Sequence, residues 1–483
     1  MTKPSLASQY EVVIGIECHV QLATKSKLFC ACDNDSRTAE PNTLICEICT
    51  GQPGALPVLN KRAVELALRL GKALNAEYPP NLHTKFDRKN YFYPDLPMGY
   101  QITQFDEPIV PNGWVEFPVA SNIKRVGITR AHLEADAGKL THPDGKDYSL
   151  VDLNRSGTPL LEIVSEPDMR SAAEAKAYAQ ELHNLARYSG ASDANLYYGN
   201  MRFDVNVSVH QPGTPFGTRT ETKNLNSFRN VERAVEYETE RQIAALEKGD
   251  QIRQETRGWN EAKQQTYAMR SKEDADEYRY FPEPDLPPLV IPKAMTDDAG
   301  QFDILPNQLR GLLKDAGIAE GSAQVLVGEP EFARLWHDAY KLEPKHTRFV
   351  FTWLTGPELS LRESHGPESH LTATILNTVA QMVANGELSS TNARELLTKL
   401  RNEPHPTDPH DLARDMNLIQ QSNEDELSKI VDEVIAQNES AVADYRSGNT
   451  RALGALVGAA MKATLGKGNP PLITKLLKAR LDK

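Results

Sequence analysis

Two stretches of strict apolar/polar alternation constrain this chain more than any other feature. In residues 14–22, Ile14, Ile16, Cys18, Val20 and Leu22 fall on one side, and Glu17, His19 and Gln21 fall on the other. In Met201–His210, Phe203, Val205, Val207 and Val209 oppose Arg202, Asp204, Asn206 and Ser208. Successive side chains of a strand point to opposite faces, so each stretch predicts a strand with one face in a core and the other polar. The same logic sets Arg219, Glu221 and Lys223 on one face of 218–224, and His132, Glu134 and Asp136 on one face of another run. Glu162 lies inside the apolar run LLEIV.

A solvated sheet face accounts for any one of these strands alone. Solvated faces carry mixtures of Lys, Thr and Glu, whereas these strands together offer short oxygen ligands, His and Arg, the groups a magnesium–phosphate site uses. The chain has neither G-x-x-x-x-G-K-[ST] nor a strand-linked G-x-G-x-x-G, which argues against P-loop and Rossmann nucleotide sites. ATP would therefore be held by carboxylates, divalent ions and cations. Arg202, Arg219 and Lys223 are the candidate cations, and Arg270, Lys272 and Arg279 could add to them unless that charge-dense run is simply a solvated loop.

Cys30, Cys32, Cys46 and Cys49 form a C-x-C and a C-x-x-C separated by a polar loop, the paired-thiolate spacing of a tetrahedral zinc site. Disulfides are the alternative. The opening MTKPSLASQY, with no apolar signal segment, and the scarcity of other cysteines favour a reduced cytoplasmic setting and hence zinc. An all-thiolate site leaves no open position for chemistry, so the expected knuckle at 30–49 is a brace beside the first strand. Cys18 faces the core while its neighbour His19 faces away, so the two cannot readily work as a nucleophile and base.

The 483 residues suit about three domains. Proline-rich FPEPDLPPLVIP (281–292) and NEPHPTDPHD (402–411) interrupt the pattern. Boundaries are expected at 1–293 for a mixed block, 294–405 for a helical block and 406–483 for a helical tail. No apolar run approaches a membrane span. With 54 basic and 66 acidic side chains the net charge is −12, so nucleic-acid contact must be local. The tail supplies such a place, with seven basic residues from Arg451 to Lys483 against Asp482 alone.

The strings GIECHVQL, KFDRKNYFYPDLPMGYQITQ, HLEADAGK, DLNRSGTPLLEIVSEPD, MRFDVNVSV, TRTETKNLNSFRNVERAVEYE and MRSKEDADEYRYFPEPDLPP, in this order with the four cysteines between, resemble the B-subunit family of the glutamyl- and aspartyl-tRNA amidotransferases (the GatB family). VADYRSGNTRALGALVGAAMKATLGKGNPPLITKLL resembles the tail domain of that family.

The resemblance implies an α+β fold: a mainly antiparallel sheet cradle resembling glutamine synthetase, with an inserted zinc knuckle, then an all-α domain and a helical tail domain. It also implies a protein that uses ATP to phosphorylate the side-chain carboxylate of Glu-tRNA(Gln) or Asp-tRNA(Asn) before ammonia displaces the phosphate. His19, Glu134 and Glu162 match the divalent-metal ligands of the family, and Glu17, Asp204 and Glu221 are expected in the same pocket. The family motif commonly has valine where this chain has Cys18. The chain carries no serine-and-lysine amidase signature, so the resemblance implies an amidase A subunit as the ammonia source and a small C subunit completing a heterotrimer. The basic tail would then hold the tRNA through Lys462, Lys467, Lys475, Lys478 and Arg480. A stand-alone ligase acting on a free amino acid and a non-enzymatic zinc-containing RNA-binding protein are the alternatives. The basic tail argues against the first. The ionic strand faces, which lack an exposed array of stacking rings, argue against the second.

Overall fold

The computed structural model describes residues 9–271, 278–405, 407–420, 424–464 and 468–482. In chain order the strands are β1 (Glu11–Gln21), β2 (Asn81–Thr84), β3 (Asp87–Asn90), β4 (Tyr100–Thr103), β5 (Gly113–Val119) and β6 (Asn122–Ala135). They continue with β7 (Lys139–Thr141), β8 (Leu150–Asp152), β9 (Pro159–Ser165), β10 (Met201–His210) and β11 (Thr220–Leu225). The last are β12 (Glu255–Asn260), β13 (Gln265–Ser271), β14 (Phe281–Pro282) and β15 (Leu289–Pro292).

The alternating stretches become neighbours at the centre of an eight-stranded sheet of order β13-β12-β11-β10-β1-β9-β6-β5. Every pairing in it is antiparallel except β11 with β12. Ile14, Ile16, Cys18 and Val20 of β1, with Phe203, Val205 and Val207 of β10, enter one hydrophobic core. Helices α1 (Lys61–Ala73), α2 (Ala172–Tyr188) and α3 (Phe228–Glu247) supply apolar residues to it. Phe117 of β5 meets Tyr178 of α2 edge-on at 5.9 Å, and Phe203 of β10 meets Phe228 of α3 at 6.2 Å. Both long helices start on side-chain caps, Ser171 Oγ accepting from Glu174 N and Ser227 Oγ from Asn230 N. With its apolar face covered, the sheet turns the alternate, ionic residues to the opposite side.

The prolines of 281–292 are accommodated at strand ends. Phe281 and Pro282 pair with β3, and Leu289–Pro292 pairs with β2, in small separate sheets. Arg88 of β3 clamps that return with a bidentate pair to the buried Glu283, at 2.7 and 2.8 Å.

The chain divides into two compact units, Met1–Gln308 and Leu309–Lys483. The second is helical among its described residues, and Arg401 and Glu358 form a buried ion pair inside it at 2.9 Å. Its last four helices, Glu424–Gln437, Glu439–Arg446, Ala452–Ala463 and Pro470–Leu481, share a core built on Leu427, Val431, Leu456, Ala460, Ile473 and Leu477.

Candidate active site

Strand register places the ionic residues on a grid. Across β10, β1, β9 and β6, one row reads Arg202, His19, Glu162, His132, because His19 pairs with Arg202 and with Glu162, which in turn pairs with His132. Two residues along the same strands, and therefore on the same face, the next row reads Asp204, Glu17, Val164, Arg130.

In the first row, His19 Nε2 lies 3.4 Å from Glu162 Oε2 and 3.6 Å from Glu134 Oε1. His132 Nε2 reaches the same Glu162 oxygen at 3.4 Å and Glu134 at 3.9 Å. Donor atoms of His19, Glu134 and Glu162 lie within 4.8 Å of one another, as do those of Glu17, Asp204 and Glu221. The expected carboxylates and His19 are thus brought together as two adjacent groups of three, each able to hold a cation.

Burial pulls the pKa of His19 down, but the hydrogen bond to Glu162 and the carboxylates of Glu162 and Glu134 outweigh it and raise it to about 9. Glu162 is held well below the ordinary carboxylate range. Its burial acts the other way and is overcome by His132 and His19. Asp204 is lowered in the same manner, against desolvation, by Lys223 and His19. Lys223 Nζ lies 2.9 Å from Asp204 and 3.4 Å from Glu221.

His19, Glu162, Glu17, Glu221 and Lys223 line a cleft of about 390 Å³, whereas Glu134 and Asp204 are buried and do not line it. Its far wall is aromatic, and Tyr93, Tyr91, Tyr278, Tyr280 and Phe105 follow one another ring to ring, ending in a Tyr280–Phe105 stack at 4.1 Å. Lys89 lies among them, 4.7 Å over the Tyr278 ring. Its burial disfavours the charge, but Tyr280, Glu134 and Glu162 hold it protonated. Asn90 Nδ2 donates to the carbonyls of Tyr278 and Arg279 at 3.1 and 2.8 Å, fixing this wall to β3. A second recess of about 500 Å³ adjoins the cleft, sharing Glu17, Arg219 and Gln254 with it.

The expected cations separate. Lys223 and Arg219 line the cleft, Arg219 standing just before β11. Arg202 instead turns to Asp136, 3.4 Å away, and does not line the cleft. Arg279 is exposed, Lys272 lies outside the described residues, and of Arg270 only the backbone, within β13, is described. Lys89, Arg130 and the tyrosines were not among the expected site residues, and His132 was expected only as a member of an ionic strand face. For Arg130 the signal was spacing two, in Arg130, His132, Glu134 along β6.

The four cysteines converge with Sγ atoms within 4.8 Å of one another, and Cys46 and Cys49 are 3.9 Å apart as free thiols. A tetrahedral ion with Zn–S bonds of 2.3 Å needs edges of about 3.8 Å. Lys27 is fully buried beside them, its Nζ donating to the Leu44 carbonyl at 2.8 Å and to Cys49 Sγ at 3.6 Å, which offsets thiolate charge. The knuckle holds the exit of β1 through Asn34, which donates to the carbonyls of Leu22 and Thr24. It is tied more extensively to the turn entering β9. Asn154 binds the backbone of Leu44 and Glu40, Ser156 Oγ donates to the Cys49 carbonyl, and Gly157, at φ +85°, runs past the Cys49 side chain.

In the tail, Lys462, Lys475 and Lys478 are exposed, and Lys467 lies outside the described residues. Arg480 is half-buried and pairs with Asp432 and Ser428.

Residues 12–297 match the family described as the GatB/GatE catalytic domain, and residues 342–481 match the GatB domain. The chain is 43% identical over 484 residues to a protein of Caldicellulosiruptor saccharolyticus, covering 98% of this chain and 100% of that one. It is 46% identical over 474 residues to one of Agathobacter rectalis, covering 97% and 98%. A relative from Gloeobacter violaceus is 44% identical over 484 residues, covering 98% and 87%. All three are named as the B subunit of an aspartyl/glutamyl-tRNA(Asn/Gln) amidotransferase.

Proposed function

Because the chain belongs to the family of aspartyl/glutamyl-tRNA(Asn/Gln) amidotransferase B subunits, we propose that its sheet cleft activates the side-chain carboxylate of a misacylated tRNA at the expense of ATP. The γ-phosphoryl group passes to a carboxylate oxygen of Glu-tRNA(Gln) or Asp-tRNA(Asn), ADP leaves, ammonia attacks the acyl carbon, and inorganic phosphate departs with formation of the amide. The protein is thus part of a glutamine-dependent ligase complex of protein synthesis. Nothing favours the stand-alone ligase, since the relatives are named for tRNA substrates.

The observation that carries this reading is the pair of three-ligand groups on one sheet face, His19, Glu134 and Glu162 beside Glu17, Asp204 and Glu221. The second is all carboxylate and the first adds one imidazole to two carboxylates, and carboxylate oxygens suit magnesium, which when bound would neutralise phosphoryl charge. Around them Lys223 and Arg219 supply cations, and the aromatic wall offers a stacking surface to the nucleoside end of a tRNA. The Cys30, Cys32, Cys46 and Cys49 knuckle fits structural zinc, with the sheet cradle serving as a glutamine-synthetase-like support. Ammonia comes from an amidase A subunit with a small C subunit alongside, and the basic tail grips the tRNA body. Among the described residues no helix is long and apolar enough to cross a membrane.

The purified chain with its amidase partner is expected to form Gln-tRNA or Asn-tRNA only when ATP, magnesium and misacylated tRNA are all present. Equal turnover with free glutamate would overturn the reading, and parallel assays with the two misacylated tRNAs would identify the substrate.

A further inference from the structure

The second row of the grid contains one apolar residue among ionic ones. Val164 stands between Glu17 on β1 and Arg130 on β6, with Glu162 two residues further along its own strand. Neighbouring strands are about 4.8 Å apart, so the Cα atoms of Glu17 and Arg130 are separated by roughly 10 Å with only an isopropyl group between them. That leaves a notch at the junction of the cleft, which Arg130 lines, and the adjoining recess, which Val164 lines; Glu17 and Arg219 border both.

The cations near this notch differ in how they are satisfied. Lys223 is paired with Asp204 and Glu221, and Arg202 with Asp136. Arg130 makes no ion pair among the described residues, and its Nε is buried without a hydrogen-bond partner. An unpartnered buried Nε costs free energy, and the half-buried Arg130 side chain lines the cleft with a planar fork that matches the oxygens of a phosphoryl group. The nearby protein carboxylates Glu162 and Glu134 are approached by His19 and His132 and form no ion pair with Arg130 among the described residues.

We propose that the notch over Val164 is the seat of the transferred phosphoryl group, with Arg130 holding its oxygens from one side while the Glu17 group stands at the other. The assignment rests on the phosphoryl-transfer reading above. It names Arg130 as a catalytic residue, with Val164 shaping the space.

The test uses the chain with its amidase partner, ATP, magnesium and misacylated tRNA, following ADP release. Arg130→Ala is expected to lower kcat about 100-fold or more, with ATP affinity by calorimetry and partner glutaminase changed far less. Added guanidinium should restore part of the rate, and Arg130→Lys should lie between. Val164→Phe, which fills the notch, should lose turnover while the partner still hydrolyses glutamine. Arg130→Ala turnover within about threefold of the parent overturns the proposal, as does a loss that guanidinium fails to rescue while Val164→Phe stays active. Should the unsubstituted complex release no ADP in response to misacylated tRNA, the functional reading itself falls. Normal release by both parent and variants removes only the seat.

Discussion

His19 and Glu162 face each other across the β1–β9 ladder with Nε2 and Oε2 3.4 Å apart, and His132 approaches the same carboxylate oxygen from β6 at an equal distance. One carboxylate thus sits between two imidazoles, which makes it the pivot of the group. Glu162→Gln removes the charge that does most to raise His19 while keeping its shape. The His19 pKa, read by NMR titration of the magnesium-free chain, is expected to fall from about 9 toward its ordinary 6.5. Amide formation on tRNA should be lost with it, and a variant that kept both would remove Glu162 from the ligand group.

Glu134→Gln tests the other carboxylate that His19 approaches. Because Glu134 belongs to the first group of three donors, its neutralisation is expected to abolish tRNA-dependent ADP release and amide formation while the partner still hydrolyses glutamine. Retained transamidation would show that the cation is held without it.

The raised His19 has a consequence for stability with a definite sign. Its folded pKa exceeds its unfolded one, so the stabilisation is fully present below pH 6.5 and is lost as pH rises through about 9. For a side chain this buried the effect is on the order of 3 kcal/mol. Urea unfolding in magnesium-free buffer at pH 6 and pH 9 should show the decline. His19→Gln should flatten it over that window, and a parallel decline in the variant would assign the slope to other groups.

Much of this site was legible because alternation is local. The faces of β1 and β10 follow from residue spacing alone, and placing His19 opposite Cys18 needs nothing beyond the geometry of a strand. Glu17, Asp204 and Glu221 converge because three alternating strands happen to be neighbours in one sheet, which spacing permits but does not dictate. The aromatic wall was not legible. Tyr91 and Tyr278 meet only because Arg88 and Asn90 fasten the 278–283 segment to β3, and such long-range clamps leave no periodic trace. Arg202 shows the limit in reverse. Its spacing puts it on the ionic face, yet Asp136 across the sheet draws it away from the cleft. The knuckle was recognisable from its cysteines, but its main attachment, the turn at Asn154 and Ser156, was not.

That attachment decides what loss of the knuckle should do. Cys49→Ser, or removal of bound metal by a chelator, is expected to loosen first the segment 151–158 and the entry to β9, hence Glu162, and only then the exit of β1. Hydrogen exchange measured peptide by peptide resolves the order. Uniform deprotection of the whole sheet would mean that the knuckle supports the fold globally rather than this turn.

The tail separates two kinds of basic residue by what each already touches. Lys475 and Lys478 are exposed on the final helix, whereas Arg480 on the same helix is engaged with Asp432 and Ser428. If the exposed pair contacts tRNA phosphates, Lys475→Ala with Lys478→Ala should reduce the slope of log affinity against log salt by about 1 to 2 and leave the melting temperature unchanged. Arg480→Ala should instead cost about 0.2–1 kcal/mol of stability, as expected for an ion pair whose Asp432 partner is exposed, with a smaller change in the salt slope. Binding of the deacylated tRNA by the assembled complex across a salt series, set beside thermal melts, reads both quantities. A slope that responds to Arg480 and ignores the two lysines would move the tRNA contact to the helix face on which Arg480 lies.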